Sequence, residues 1–391
     1  MKTFSWWITR LVDILSSLKL TVACLSVSMV LVFVSTLAQV ELGIYEAQAR
    51  YFETWWVWAE LGDGGIQVPW LPGGYWIGLL LIANLVTAHW KRFRLQWNKA
   101  GLWMVHLGIL ILLVGGFVTH WMAHEGQLRF DEGEKKHYYE SFLERELVVT
   151  ERLAEAQVRE VRFDTSMIRK ENQVSHPDLP FTLNLTHYLG NSRLTLKPVM
   201  ASPSPSAGEV NRGWGQLIRA EEVPPTYKPD EQNLISVRLT PVWNDQALGT
   251  WLVTNAVGDI QWFRVEDRQF GLSLRRKRFD LPYAMTLIQF THDRYPGTNI
   301  PKNFSSRVLL EHPEFNEERE TLIYMNQPLR YRGKTFYQAG FDNNDTTSIL
   351  QVVENPGWLL PYVSCLLVSL GLTWHFLMHL SRHLNRRREA L

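Results

Sequence analysis

Histidines inside apolar segments are the residues of this chain best suited to do chemistry. His106 lies within the run MVHLGIL, and His375 lies within the run LTWHFLM. An ionisable side chain within a membrane is costly, so such residues are candidates for function. Neutral imidazole is a good axial ligand for haem iron, and two imidazoles at one depth form a six-coordinate site. We therefore select His106 and His375 as candidate cofactor-binding residues, with His106 as the iron ligand.

The positions of these histidines along their segments agree with such a site. His106 and His375 each lie about six residues, or ~9 Å, from the basic end of an apolar segment, and the two segments are predicted to be antiparallel. The two rings can therefore face each other. His106 and His120 are about 14 residues apart, which gives ~21 Å along a helix and roughly 40° around it. That spacing suits two stacked haems in a b-type cytochrome.

A structural role is the alternative for every one of these histidines. A histidine can cap a membrane span or form a hydrogen bond between helices without binding anything else. We favour that role for the histidines at the segment ends, which are His89, His120, His124, His379 and His383. For His106 the residues alone leave the ligand role and the structural role open.

Composition and motifs exclude several other classes of function. The chain has 391 residues and a formal net charge of +1, which argues against a nucleic-acid partner. Its two cysteines, Cys24 and Cys365, are predicted to lie at different depths, and neither is in a CxxC motif. A disulfide between them and dithiol chemistry are therefore excluded. There is no Walker loop, Rossmann glycine pattern or HExxH motif, and we predict no catalytic residue.

Four apolar segments are predicted to span a membrane as helices. They are Leu20–Val40, Gly74–Ala88, Gly101–Trp121 and Trp358–Leu380. About 20 apolar residues are needed to cross a ~30 Å hydrocarbon core, and the second segment reaches that length only if it starts near Trp70. The first segment is too long for a cleavable signal peptide. A segment before it, Phe4–Leu18, is predicted to be an interfacial helix.

Lysine and arginine clusters predict the orientation of these spans. With four spans, three clusters fall on one side: Lys2, Arg10 and Lys19; Lys91, Arg92, Arg94 and Lys99; and Arg382, Arg386, Arg387 and Arg388. Basic loops stay in the cytoplasm, so both termini are predicted to be cytoplasmic. The Glu41–Pro69 loop and the Met122–Pro356 segment are then outside.

The shorter outer loop is crowded with aromatic residues, namely Tyr51, Phe52, Trp55, Trp56 and Trp58. Such residues are typical of an aromatic belt at a membrane surface. A stacking surface for a flat apolar ligand is the alternative.

The long outer segment is predicted to be β-rich. Phe181, Leu183 and Leu185 alternate with polar residues, and similar runs occur at Leu234–Thr240, Thr250–Thr254, Ser306–Leu310 and Thr347–Val353. Short strands separated by turn signals favour a sandwich or an open barrel. Ala201–Gly208 is predicted to be a low-complexity loop.

The predicted fold class is a membrane α-helical protein with four transmembrane helices and a large β-rich extracytoplasmic domain between the third and fourth. The domain bounds are 1–121 for the interfacial helix, three spans and the aromatic loop at 41–69, 122–356 for the β-rich domain, and 357–391 for the last span and a basic tail.

Several motifs resemble one known family. They are LSSLKLTVACL at Leu15–Leu25, the third span with EGQLRFDEGE at Glu125–Glu134, IPKNFSSRVLLEH at Ile300–His312, and MNQPLRYRGKTFYQAGF at Met325–Phe341. Together, these motifs resemble the ResB-like family of the type II cytochrome c biogenesis system.

On the residues alone, the motif at Met325–Phe341 has a structural role. Asn326, Gln327 and Pro328 suit a turn, Gly333 a left-handed position, and Phe336 and Tyr337 the packing of a strand.

The resemblance implies a haem-delivery subunit of a cytochrome c synthase, itself non-catalytic, in a bacterial inner membrane. Its cofactor would be haem b in transit. Its partners would be a tryptophan-rich haem-channel protein of the ResC/CcsA type, apocytochrome c and membrane lipid. The family's haem-binding position matches His106, with the second ligand supplied by the partner protein.

Two other function classes remain open at this point. One is a b-type cytochrome subunit that passes electrons from quinol to an outer partner, through His106 and His120 with ligands from the fourth span. The other is a membrane scaffold without a cofactor.

Overall fold

The computed structural model describes residues 2–61, 66–92, 97–153, 157–197, 210–226, 232–298, 301–342 and 346–389. The chain divides into two units. The helical unit contains the residues up to Ala123 and those from Asn355 onward, and the β-rich unit comprises His124–Thr226 and Gln232–Glu354. The low-complexity loop predicted at 201–208 lies outside the described residues.

The described residues form six α-helices: α1 Lys2–Leu15, α2 Leu18–Ala47, α3 Gly74–Arg92, α4 Ala100–Met122, α5 Thr165–Ile168 and α6 Leu360–Glu389. All but α5 lie in the helical unit. α2 extends beyond the predicted apolar run and is broken at Gly43, where φ is 74° and the backbone leaves the helical region. A π-helical turn at Gln48–Phe52 follows, so much of the predicted outer loop is helical.

Three of these helices, α2, α4 and α6, are long and apolar enough to cross a membrane. The protein is therefore membrane-associated. α3 forms where the second span was predicted, but Trp70 lies in a strand instead of beginning this helix. α3 instead extends at its carboxyl end through Lys91 and Arg92. These basic residues lower the mean hydropathy of the helix.

α4 packs on α6 through a row of glycines at every seventh position. Gly101, Gly108 and Gly115 are buried. A Cβ atom built at Gly101 would lie 2.5 Å from the carbonyl oxygen of Gly371, and one at Gly108 would lie 2.9 Å from that of Ser364. The Ser364 hydroxyl donates a 2.7 Å hydrogen bond to the Gly108 carbonyl. Small residues at such a seam allow two backbones to approach closely.

The turn between α1 and α2 is held against α3 by one buried side chain. The amide nitrogen of Asn84 donates to the carbonyls of Leu15, at 2.6 Å, and Ser17, at 3.0 Å. Its oxygen accepts from the Thr21 hydroxyl at 2.7 Å. These bonds satisfy the polar groups of Asn84 inside an apolar unit and fix the position of α3 along α2. α1 itself exposes an apolar face that includes Trp7 and Leu11, as an interfacial helix requires.

The strands of the described residues are β1 Trp56–Leu61, β2 Ile66–Pro72, β3 His124–Asp131, β4 Lys135–Arg152, β5 Val158–Asp164, β6 Gln173–Val174, β7 Thr182–Leu189, β8 Ser192–Leu196, β9 Ile218–Glu222, β10 Ser236–Trp243, β11 Gln246–Ala247, β12 Trp251–Thr254, β13 Gln261–Val265, β14 Arg268–Arg294, β15 Pro301–His312, β16 Glu317–Tyr324, β17 Leu329–Tyr331, β18 Lys334–Asp342 and β19 Thr347–Glu354. β1 and β2 form an antiparallel hairpin in the helical unit, and all the others lie in the β-rich unit.

The β-rich unit contains two larger sheets. The ten-stranded sheet has the order β16-β15-β14-β4-β3-β19-β18-β17, with β13 paired to β14 and β5 paired to β4. The five-stranded sheet has the order β11-β10-β7-β6, with β12 paired to β10. The alternating apolar runs of the sequence are strands here, and Phe181, Leu183 and Leu185 are buried as predicted.

Two hydrophobic cores support this unit. The first lies between the two sheets, where Leu147 and Phe270 of the larger sheet meet Leu183 of the smaller one. The second is enclosed by strands of the larger sheet alone and includes Phe130 and Phe336. The unit thus combines a sandwich with a sheet that curls around its own core, the two architectures that the sequence left open.

The structure corrects one expectation about the motif at Met325–Phe341. Asn326 and Gly333 have positive φ angles of 65° and 79°, so the predicted turns are confirmed. Phe336 is fully buried in the second core, as expected. Tyr337 is instead 39% exposed, because adjacent residues of a strand point to opposite faces of the sheet.

A charged waist joins the two cores, where β4 and β14 pass from one to the other. It consists of Glu140, Glu144, Glu146, Glu160, Asp164, Arg275, Lys277 and Arg278. Arg275 donates to Glu146 at 2.9 Å and to both oxygens of Glu160 at 2.7 and 2.6 Å. The hydrogen bonds from Arg275 are the main cause that lowers the pKa of Glu160, against the opposing effect of burial.

The glycine seam predicts a position-specific effect of one substitution. Gly108→Val should destabilise the helical unit by about 1–3 kcal/mol, because its side chain meets Ser364 and Val368 of α6. Gly116→Val is the matched control, since a Cβ atom there meets nothing within 4 Å. The measurement is the thermal unfolding midpoint of the full chain in detergent. Equal midpoints for the two variants would contradict the close packing of α4 on α6.

The charged waist predicts a pH-dependent stability. Since the folded-state pKa of Glu160 is lowered, its stabilising contribution is complete above the unfolded-state pKa and is lost as the pH falls through the folded-state value. Arg275→Met should destabilise the full chain by about 3–5 kcal/mol, because the buried Glu146 loses its partner, while Glu160 keeps only its pairing with Arg162. It should also flatten the acid limb of the unfolding midpoint against pH. Arg307→Met, on an exposed position of β15, should change neither property.

Candidate functional site

His106 is paired with a second histidine on the neighbouring helix. Nδ1 of His106 in α4 lies 3.0 Å from Nε2 of His89 in α3, and the two rings are nearly perpendicular at 86°. Nδ1 of His89 lies 2.8 Å from the carbonyl oxygen of Leu85, one turn earlier in α3. The ring of Trp103 covers His89 from α4, with centroids 4.5 Å apart. Both histidines are half-buried.

These contacts assign the ring hydrogens of His89 and His106. A carbonyl oxygen only accepts, so Nδ1 of His89 carries a hydrogen, and Nε2 of a neutral His89 is an acceptor. Nδ1 of His106 must then donate, which leaves the lone pair of a neutral His106 on Nε2. No described residue forms a hydrogen bond with that Nε2 atom. Among the described residues, a neutral His106 therefore leaves one ring nitrogen, Nε2, without a hydrogen bond.

His375 lies on a different side of α4. Its backbone adjoins Gly101 at the glycine seam, where a Cβ atom built on Gly101 would lie 2.8 Å from the His375 nitrogen. Its ring is exposed and lies beside that of His379, with centroids 4.4 Å apart. His106 follows Gly101 by about five residues, or roughly 140° around the helix. The structure thus brings His106 to His89 on α3, and not to His375.

His120, at the other end of α4, has partners on both ring nitrogens. Nε2 lies 3.2 Å from the Tyr75 hydroxyl, and Nδ1 lies 3.1 Å from a carboxylate oxygen of Glu53. The rings of Tyr75 and Trp76 contact Trp55, with centroids 5.5 and 5.1 Å away. This is a cross-helix hydrogen-bond network within an aromatic cluster.

Among the described residues, the remaining histidines at the segment ends form no hydrogen bond with another histidine ring. His379 adjoins only His375 among the ring contacts of the described residues, and His383 is exposed near the end of α6. His124 lies in β3, where its ring faces Phe279 at 6.2 Å. The described residues contain no group of three or more His, Cys, Asp or Glu side chains that could hold a metal ion. Cys24 and Cys365 are free.

From the sequence we favoured a structural role for His89, such as a hydrogen bond between helices, and the structure has that bond. We did not name His106 as the partner of His89. A usable signal was present, because α3 and α4 are consecutive antiparallel helices joined by a short connection. His89 and His106 lie about three and six residues from that connection, which places them at similar heights. The partners of His120, Glu53 and Tyr75, carry no comparable signal.

Residues 259–349 match the model of the ResB-like family. That range contains β13 to β18 and both motifs near the end of the β-rich unit on which the resemblance was based.

A curated relative extends the similarity beyond this range. The chain is 24% identical to Protein NrfI of Wolinella succinogenes over 358 residues, which cover 89% of this chain and 33% of NrfI. The chain thus spans about a third of the length of that relative. The match to the ResB-like family model, over residues 259–349, confirms the resemblance stated from the sequence.

Proposed function

We propose that this protein takes part in cytochrome c maturation as a membrane subunit that holds haem through His106 and helps to deliver it to apocytochrome c. The family match and the similarity to NrfI support the role in maturation. The observation that carries the haem proposal is the neutral His106 imidazole, which is half-buried in an apolar helix and has an uncommitted Nε2 atom.

The residues around His106 fit haem b. Haem iron takes a neutral imidazole nitrogen as an axial ligand. The lipid-facing positions beside His106, such as Leu102 and Leu107, are apolar and exposed, as the face of a flat apolar ligand requires. The chain would supply one nitrogen ligand, and haem would supply the iron centre that is passed on to the cytochrome.

Each part of this chain has a distinct task in the proposed delivery. The seam between α4 and α6 holds His106 on the side of α4 that faces α3. Nε2 of His106 would hold the haem iron. A site that is completed by a second protein releases its cargo more readily than one with both ligands on a single chain.

The second axial ligand is proposed to come from a partner of the tryptophan-rich haem-channel type. His375 was the alternative within this chain, but its ring adjoins His379, and α6 meets the glycine face of α4. The position of His106 away from that face favours the partner.

The proposed arrangement in the membrane has four spans, with α3 as the second. Lys91 and Arg92 at the end of α3 and Arg386 to Arg388 in the last turn of α6 then lie in the cytoplasm of a bacterium. Both termini are cytoplasmic, and the β-rich domain is extracytoplasmic, where apocytochrome c is loaded.

The b-type cytochrome is the less favoured function. It requires His106 and His120 as ligands together with histidines of the last span. Both ring nitrogens of His120 are already bonded, to Tyr75 and Glu53, and His106 is turned away from α6. These contacts argue for a single haem position in this part of the chain.

The haem proposal predicts the behaviour of a cavity variant. His106→Gly should lower the haem that co-purifies with the complex and the yield of holocytochrome c, because the iron loses a ligand. Free imidazole should restore part of both, since it can occupy the vacated coordination position. His375→Gly should have little effect on either. The measurements are the pyridine haemochrome content and the absorption spectrum of each purified complex.

Two outcomes would contradict this proposal. A six-coordinate spectrum that is unchanged in His106→Gly would remove His106 from the site. Equal losses of haem in His106→Gly and His375→Gly, at equal protein abundance, would assign the second ligand to this chain and not to a partner.

A further inference from the structure

When the second ring nitrogen of a ligating histidine donates its hydrogen to an acceptor, that histidine is a more basic and better oriented metal ligand. Most ligating histidines have a carboxylate, a backbone carbonyl or a water in that role. Here the acceptor is Nε2 of His89, which is itself oriented by the Leu85 carbonyl.

We propose that His89 is a positioning residue, which accepts the Nδ1 hydrogen of His106 and so keeps the Nε2 lone pair of His106 available for haem iron. This inference rests on the proposed function, because it assigns a task toward the same site. His89 does not touch the iron and acts only through His106.

Two contacts make His89 suited to this task. Nδ1 of His89 donates to the Leu85 carbonyl oxygen, with the two atoms 2.8 Å apart, and Trp103 contacts the His89 ring edge-to-face. Nε2 therefore has one orientation and one protonation state in the neutral residue. The hydrogen bond between His89 and His106 thus selects one tautomer of His106.

The hydrogen bond between His89 and His106 also explains why the two histidines are not joint ligands of one iron. Their facing nitrogens lie 3.0 Å apart, at hydrogen-bond distance. In addition, Nε2 of His89 faces Nδ1 of His106, the atom that carries the hydrogen.

Two substitutions at His89 separate orientation from mere space-filling. His89→Leu removes the acceptor. His89→Gln keeps one, because the amide oxygen of Gln takes the place of Nε2 of His89. His89→Leu should weaken haem binding by the complex about 10- to 100-fold and raise the midpoint potential of the bound haem, because the imidazole becomes less basic. His89→Gln should retain most of the haem and a potential close to that of the parent. Thr87→Val, on the same helix, should leave both unchanged.

A second measurement needs no haem. In the haem-free full chain labelled with ¹⁵N-histidine, the ring shifts of His106 should report hydrogen on Nδ1 and a bare Nε2. His106→Gln supplies the assignment by difference. The opposite tautomer in the parent chain would overturn the inference.

Failure of this inference is distinguishable from failure of the proposed function. If His89→Leu keeps the parent's haem content and potential while His106→Gly loses haem, His89 has no positioning role and the haem proposal survives. If His106→Gly keeps its haem spectrum, the haem proposal fails as well. Equal losses in His89→Leu and His89→Gln would overturn the positioning role, because the acceptor would then not matter.

Discussion

The close approach of α4 to α6 determines how α4 is rotated about its own axis. Gly101, Gly108 and Gly115 leave no room for side chains on that face, so α4 has only one side that can meet α6. His106 lies away from this face and meets His89 of α3. The identity of three glycines thus decides which helix the candidate ligand faces, although none of them contacts it.

Three polar side chains of the helical unit follow a single pattern. Asn84, His89 and His120 each have their hydrogen-bond partners on a neighbouring turn or helix. In an apolar environment a polar group without a partner is expensive, so these bonds also determine the relative heights of the helices. His106 differs, because one nitrogen is bonded and no described residue bonds the other. That second nitrogen is the one that we propose as the ligand of haem iron.

Apolar runs and alternation predicted most of the elements correctly. α1, α2, α4 and α6 lie where the apolar segments indicated, and strands cover the alternating runs of the β-rich unit. The sequence could also single out His106, because an ionisable residue stands out in MVHLGIL. It also places His89 and His106 at similar heights, but depth along a segment says nothing about rotation around a helix, so the sequence did not decide which histidine His106 faces. The rotation depends on backbone contacts between Gly101 and Gly371, which lie far apart in the chain. The charged waist was missed for the same reason, because its pairs join distant strands.

The central claim is that this chain gives one axial nitrogen to haem, and that the nitrogen belongs to His106. Pulsed electron paramagnetic resonance of the ferric complex tests it directly, with ¹⁵N-histidine in this chain and natural nitrogen in the partner. The account predicts ¹⁵N coupling to the iron from one axial imidazole, and its loss in His106→Gly at equal haem content after imidazole rescue. Absence of ¹⁵N axial coupling in the parent complex, or coupling that persists in His106→Gly, would contradict it.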